Sequence, residues 1–406
     1  MPISQSIIFV TGVILSFLSL FLFIICTFFL IECVAALLPI NNQINYFQNN
    51  RSWQNIKVTI LVPAHNEELI IPRTMDGLIP VLKPQDSLIV IADNCNDATA
   101  EIARSKGATV IERHNLELRG KGYALDYGLR HIQQNPPDVV IIIDADCTVH
   151  TKTIEILSER AIKRGKPIQG TYLMTAPKNS QSSKDLIAQL SNIVTNLVRP
   201  RGLSNLGQSC SLNGTGMAFP WSVINQVNLA TDHLVEDLKL GLDLSIAGYR
   251  PEFCQEAQVT AYLPQQLQAS KSQKTRWEHG HLQMMGTYVP ILLKQAIYQK
   301  RLDLFISTLD LCIPPLSLLV IVWLAIMVIS VLFAYVGMSW IPALISALAG
   351  FCFLTAIMTA WAGFAANKLP LSQLLILPFY VMGKIPVYLK FLIKPQQVWV
   401  RTERDL

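Results

Sequence analysis

Two long apolar stretches enclose a sequence of ordinary polarity, and this layout restricts the chain more than any single motif. Residues 7–38 carry one charged side chain, Glu32, and residues from about 305 to 393 are again mostly hydrocarbon, whereas residues 57–301 have the mixed character of a globular domain. About 20 apolar residues in a helix cross roughly 30 Å of bilayer hydrocarbon. Both flanks therefore belong in lipid, and some 245 residues between them form one soluble unit. The composition agrees: 15% of the 406 residues are charged, against about 25% in soluble globular proteins. The expected domains are an N-terminal transmembrane helix (1–40), a globular domain with interface helices (41–300), and C-terminal transmembrane and interfacial helices (301–406).

Charge sets the orientation. Residues 7–38 lack the basic leader and short apolar core of a cleavable signal, so they form a retained span. No Lys or Arg precedes them, while Arg51 and Lys57 follow, which places the N-terminus outside and the globular domain in the cytoplasm. Residues 304–336 and 341–366 are expected to be two further spans joined outside by the uncharged turn 337–340, with Lys368 back in the cytoplasm. Residues 369–393 hold Pro378, Pro386, Lys384 and Lys390, and Lys394, Arg401 and Arg404 follow. This suits interfacial or re-entrant helices, with a fourth span as the alternative.

Several partner classes are excluded or disfavoured. The net charge of +5 is spread along the chain without the dense basic stripe of a nucleic-acid binder. The 8 cysteines form no CxxC pair and four lie in or beside apolar segments, so neither a zinc site nor a disulfide framework is indicated, and a reducing compartment fits best.

Within the soluble unit, 58–63, 88–92 and 139–143 are short, β-branched apolar runs of the kind that form strands covered on both faces. Helical patterns near 67–78, 98–106 and 123–133 separate them, which predicts a parallel, doubly wound sheet. Ligands then bind beyond the carboxyl ends of its strands. Polar clusters follow each run: His65-Asn66-Glu67, Asp93 to Asp97, and Asp144-Ala145-Asp146. They should converge on one crevice.

Asp144 and Asp146 offer hard oxygen ligands to a Mg²⁺ or Mn²⁺ that also binds phosphate; as a plain loop motif they would cap a helix. Asp93 is placed to contact a base or ribose, and Asp97 to cap the helix after it. Arg119-Gly120-Lys121-Gly122 offers cations and flexible backbone before a helix, a diphosphate contact or a solvated loop. Glu236-Asp237 opens an amphipathic pattern closed by Gly248, where capping is the simple role. The chemical one is general base: Asp237, with Glu236 beside it, taking the proton of an attacking hydroxyl. Gln273-x-x-Arg276-Trp277 joins an amide, a guanidinium for phosphate oxygens and an indole for a sugar face, or else anchors an interface. Trp221, following Asn213-Gly214-Thr215-Gly216, is either core or the wall of an acceptor site.

Pro63-Ala64-His65-Asn66-Glu67, Asp93, the Asp144 and Asp146 pair, Glu236-Asp237 and Gln273-x-x-Arg276-Trp277, in this order, resemble the membrane-bound family 2 glycosyltransferases. These include the synthases of cellulose, chitin, hyaluronan and poly-N-acetylglucosamine. The resemblance covers residues 58–283 and the flanking membrane segments. It implies a GT-A-type α/β fold with a doubly wound mixed sheet, flanked by transmembrane helices, and an inverting transfer from a nucleotide-sugar donor, a UDP-sugar by preference. It further implies donor contacts from Pro63, Glu67, Asp93, Lys121, Asp144, Gln273, Arg276 and Trp277, and a Mg²⁺ or Mn²⁺ on Asp144 and Asp146. Asp237 would be the base, and Gly214, Thr215, Trp221 and Trp277 would contact the acceptor. His65 stands where the family usually has Tyr, and Asp93 lacks the second aspartate and the glycine seen beside it in several synthases. One clear N-terminal span, and no FxVTxK-type gating segment between Trp277 and the C-terminal spans, argue against a processive, channel-forming synthase of the cellulose type. The tail Trp399 to Arg404 resembles the ends of some bacterial exopolysaccharide glycosyltransferases.

Two acceptors follow from the resemblance. One is a growing polysaccharide or lipid-linked saccharide in extracellular polysaccharide assembly at the inner (plasma) membrane, with polysaccharide-export proteins as partners. The other is a simple membrane lipid such as a ceramide, a diacylglycerol or a polyprenyl phosphate. A non-catalytic subunit or transporter ranks third, because the clear spans carry almost no charge beyond Glu32 and Asp310.

Overall fold

The computed structural model describes residues 2–39, 50–175, 182–264 and 266–396; the tail from Trp399 to Arg404, matched above to exopolysaccharide enzymes, lies outside them. Eight strands form one sheet: β1 (Val58–Ala64), β2 (Ser87–Asp93), β3 (Thr109–Arg113), β4 (Val139–Ile142), β5 (Thr148–Val149), β6 (Ile168–Thr175), β7 (Met217–Pro220) and β8 (Glu252–Tyr262). Their order is β3-β2-β1-β4-β7-β6-β8-β5. The half from β3 to β4 is parallel, as the βα alternation predicts, while β7 runs antiparallel to both β4 and β6 and makes the sheet mixed. β3 is not among the strands the apolar runs predict; its five residues include exposed Thr109 and Glu112 and lack the unbroken apolar run of its neighbours.

The unbroken runs have the expected cause. Ile60, Val62, Val90 and Ile141 face a core layer shared with the helix Ile71–Leu78, whereas Leu61, Ile91, Val140 and Ile142 face a second layer closed by the helix Lys121–Ile132. With successive side chains on opposite faces, a strand buried on both sides must be apolar at every position. The helix expected from residue 67 begins only at Ile71. Asn66 adopts φ 55°, and the Glu67 amide donates to Thr99 Oγ1 at 2.7 Å, so the chain turns before helix can start.

Among the described residues, four helical stretches are long and apolar enough to cross a membrane: Ile8–Ala35, Leu316–Tyr335, Ile341–Phe364 and Leu371–Ile393. The expected span 304–336 is two helices, Leu302–Leu311 and Leu316–Tyr335. Pro314 and Pro315 break it, since proline removes an amide donor and pushes its predecessor out of helical geometry. Leu302–Leu311 instead packs on the long helix Leu267–Tyr298 through Leu304 and Leu311. Residues 371–393 are three short helical pieces, divided near Pro378, Gly383 and Pro386.

The N-terminal helix Pro2–Ala35 lies along Ile341–Phe364, with Ser19 Oγ 2.9 Å from Ser346 Oγ. One ion cluster joins membrane and soluble parts. Arg199 donates to Glu32 at 3.0 Å and to Asp310 at 2.5 Å, and Ser211 donates to the other oxygen of Asp310. Gly202 sits so close to the Glu32 carbonyl that a side chain there would strike backbone. The buried charges Glu32 and Asp310 are therefore structural partners of the soluble domain.

Candidate active site

The ends of β1 and β2 are tied to each other. Pro63 is paired in register with Ile91, and the His65 ring nitrogen Nδ1 lies 2.6 Å from the Asp93 carbonyl. Asn66 Oδ1 accepts from the Asn96 amide at 2.8 Å. Asp93 is buried, and its carboxylate receives Arg113 at 2.6 Å from the facing position of β3. Arg113 also donates to the Leu118 carbonyl. A residue that fixes Asp93 thus comes from the strand that was not anticipated; only the strand register identifies it. Pro63, Glu67 and Asp93, expected as donor contacts, are not among the residues that line the main cavity.

Lys121 opens its helix after Gly120 at φ 125°. Gly122 follows where a side chain would come within 2.7 Å of the Leu229 carbonyl, so the helix start can press against the loop before Glu236. The Lys121 ammonium lies 2.5 Å from Asp144, 3.7 Å from Glu236 and 2.6 Å from the Gly214 carbonyl. Burial alone would depress this ammonium; the carboxylates of Asp144, Glu236 and Asp237 outweigh it and hold it above the ordinary lysine range.

Asp144, Asp146 and Cys147 bring one ligand atom each within 4.8 Å of one another. Burial, reinforced by Asp146 and Asp144, keeps the Cys147 thiol protonated, and it donates toward Asp146 at 3.4 Å. The donor set is consequently two carboxylates, the hard oxygen ligands that suit Mg²⁺ or Mn²⁺. Asp144 already holds a cation, the Lys121 ammonium, which fits the same purpose.

Asp237 stands at the start of the helix Glu236–Ile246, accepting the Leu238 amide at 2.8 Å. Its carboxyl is pushed up to about 7, by burial first and by Glu236 second, against the pull of Lys121. Across the cleft the helix Leu267–Tyr298 approaches closely at Gly280, where a side chain would meet Val235 at 2.9 Å. This contact sets the helix that carries Gln273, Arg276 and Trp277 beside Glu236 and Asp237, and all five line one cavity with Lys121, Asp144, Asp146 and Gly214. Its volume is about 970 Å³.

Two expected acceptor contacts are placed elsewhere. Thr215 is fully buried, and its hydroxyl accepts the Asp144 amide at 3.1 Å. It shapes the loop of carboxylates from below, held in turn by Gln169, which bonds the Thr215 carbonyl and the Asn213 amide. Trp221 follows β7, whose Pro220 pairs with Val139 at the beginning of β4. Because β7 is antiparallel, Trp221 emerges at the opposite end of the sheet from Asp144 and packs on the core. Gly214 does face the cavity, at φ 84°, and a side chain there would come within 3.0 Å of Asp237.

Known proteins resemble the same stretch of the chain. The model of the glycosyltransferase like family 2 matches residues 55–280, from just before β1 to just past Trp277. The probable glycosyltransferase YdaM of Bacillus subtilis (strain 168) is 26% identical over 267 residues, 61% of each chain. The poly-beta-1,6-N-acetyl-D-glucosamine synthase of Staphylococcus aureus (strain COL) is 24% identical over 253 residues, 59% of this chain and 58% of that one. The chain spans about three fifths of the length of these curated relatives. Among solved structures, the mannosyltransferase PcManGT from Pyrobaculum calidifontis, in complex with GDP-Man and Mn²⁺, superposes with a TM-score of 0.51 at 15% identity, covering 92% of this chain and all of that one. At that identity the likeness concerns the fold, and it is the expected GT-A type. With its carboxylate pair, its Glu236-Asp237 helix start and its Gln273-x-x-Arg276-Trp277 helix all within the matched span or at its edge, the chain belongs to glycosyltransferase-like family 2.

Proposed function

We propose that this protein transfers a sugar, with inversion, from a nucleotide-sugar donor to a hydroxyl of a lipid-linked saccharide or growing polysaccharide at the cytoplasmic face of the inner (plasma) membrane. The observation that carries the reading is Asp237: a carboxyl poised near neutrality, in the same cavity wall as Asp144, Asp146, Lys121 and Arg276. A general base is most effective when its pKa lies near the working pH.

In the reaction the acceptor oxygen attacks the anomeric carbon while the bond from that carbon to the diphosphate oxygen breaks. The hydroxyl proton passes to the Asp237 carboxylate, and the nucleoside diphosphate leaves with the bonding electrons. Asp144 and Asp146 are the residues that would hold Mg²⁺ or Mn²⁺, which neutralises charge on the leaving diphosphate. Lys121 and Arg276 add fixed positive charge, Trp277 offers an aromatic face to a sugar, and Asp93 held by Arg113 contacts the nucleoside. UDP is the preferred nucleotide on the resemblance to the polysaccharide synthases, and export proteins would be partners if the product is a polymer. A simple membrane lipid as acceptor is the second reading, favoured by the extension of the cavity among the membrane helices.

The test is turnover by the purified chain in lipid nanodiscs, offered UDP-, GDP- and dTDP-sugars with Mg²⁺ or Mn²⁺ and a membrane lipid extract. Released nucleotide and the size of the labelled product are read. A high-mass product supports a synthase and a single-sugar glycolipid the second reading. No release from any donor sinks both.

A further inference from the structure

The cavity does not stop at the carboxylates. Past Gln273 and Trp277 it continues along Leu316–Tyr335, Ile341–Phe364 and the pieces after Leu377, walled there by Val320, Ile321, Leu324, Leu354, Ile357 and Met382. It also opens sideways: Leu324 is 45%, Leu354 57% and Met382 63% exposed, on helices whose outer faces belong in lipid. Its size, about 970 Å³, is at the top of the roughly 300–1,000 Å³ usual for small-molecule sites, and a nucleotide sugar has no use for the hydrocarbon end. Water gains nothing from such walls, whereas a hydrocarbon chain does.

Between the polar and apolar ends stands Lys274, which lines the cavity beside Gln273. Among the described residues no carboxylate pairs with it. Burial first, and Lys384 second, depress its ammonium against the weaker opposing pull of the Asp185 and Glu278 carboxylates, and Glu278 is already taken by Lys384 at 2.5 Å. A half-buried cation in this position is best satisfied by an anion that arrives with a ligand.

We propose that the acceptor is a membrane lipid with an anionic head group, entering sideways from the bilayer: its hydrocarbon chain lies in the groove past Ile357, its anionic group beside Lys274, and its reactive hydroxyl at Asp237. This deepens the transfer reading above and rests on it. The lipid-linked saccharide fits this description; a free polysaccharide, with no chain for the groove, does not.

The experiment uses the full chain in phosphatidylcholine nanodiscs with a photoreactive, diazirine-tagged hexadecyl phosphate, and maps labelled peptides by mass spectrometry. Labelling is expected on the groove walls of Leu316–Tyr335 and Ile341–Phe364, competed by unlabelled hexadecyl phosphate and untouched by inorganic phosphate. Hexadecanol should compete about tenfold more weakly. Ile357→Trp, which fills the groove, should cut the specific labelling about tenfold, and Lys274→Ala should abolish the preference for phosphate over alcohol. Nucleoside diphosphate binding by calorimetry on the same preparations establishes that the variants are folded. Labelling spread over bilayer-facing residues such as Phe17 and Phe21, and equal in Ile357→Trp, overturns the groove; equal competition by hexadecanol overturns the anionic head. Loss of nucleotide binding and turnover in the unaltered protein would reject the transferase reading instead, a separate outcome.

Discussion

Replacing Asp237 by Asn should make the protein more stable and nearly inactive, both for one physical reason. An ordinary aspartate titrates near 3.8, and Asp237 at about 7. Between those values the native state holds a proton that the unfolded chain has released, so stability falls as pH rises through that window, and the penalty is complete above about 7. The displacement corresponds to roughly 4 kcal/mol at about 1.4 kcal/mol per tenfold. The carboxyl is only half-buried in an open cleft, so screening by water leaves about 1–2 kcal/mol. Asparagine keeps an oxygen for the Leu238 amide and removes the charge that Glu236 repels. At pH 8 the variant should therefore melt about 2–4 °C higher for each kcal/mol gained, and at pH 5, only partway up the window that opens at 3.8, the gain should shrink to roughly a third. The assay is intrinsic-fluorescence melting of both proteins in detergent at the two pH values. Turnover in nanodiscs should fall about 10²- to 10⁴-fold with donor binding retained, and in the unaltered protein kcat/KM at pH 6 should be about a tenth of its plateau above 7. A variant less stable than the parent at pH 8, or equally stabilised at both pH values, refutes the argument that an unneutralised charge is stored at this position.

Other perturbations have defined outcomes. Arg113→Ala leaves Asp93 buried without its 2.6 Å partner, which should cost about 3 kcal/mol or more and raise KM for the donor more than it lowers kcat, read by melting and steady-state kinetics. Thr215→Val removes the acceptor of the Asp144 amide; about 1–3 kcal/mol of stability should go, and the divalent-ion concentration for half-maximal turnover should rise in a metal titration. Arg199→Met strands Glu32 and Asp310 together and should destabilise by about 3–5 kcal/mol, seen as a lower melting temperature and earlier proteolysis. Chelation with EDTA should abolish turnover while leaving the melting temperature of the unliganded protein within about 2 °C, which corresponds to under about 1 kcal/mol.

The sequence determined by itself whatever depends on local pattern. Unbroken apolar runs such as Ile60 to Val62 and Val139 to Ile142 identify strands buried on both faces, because side chains alternate across a sheet. Hydrocarbon length marks the membrane helices, and carboxylates directly after strands mark the crevice. Breaks within apolar stretches are legible too: Pro314-Pro315 divides what length alone makes one span. Only the tertiary structure decided what depends on register and on meetings between distant segments. Arg113 reaches Asp93 because β3 pairs with β2 in one particular register. Thr215 is buried under Asp144, and Trp221 emerges at the far end of the sheet, because β7 runs antiparallel. Lys121 sits among three acidic side chains drawn from two separate segments, and Asp237 acquires a neutral-range carboxyl from burial and a neighbouring charge. Strand direction, burial and electrostatic field are sums over the folded chain, and no window of residues contains them.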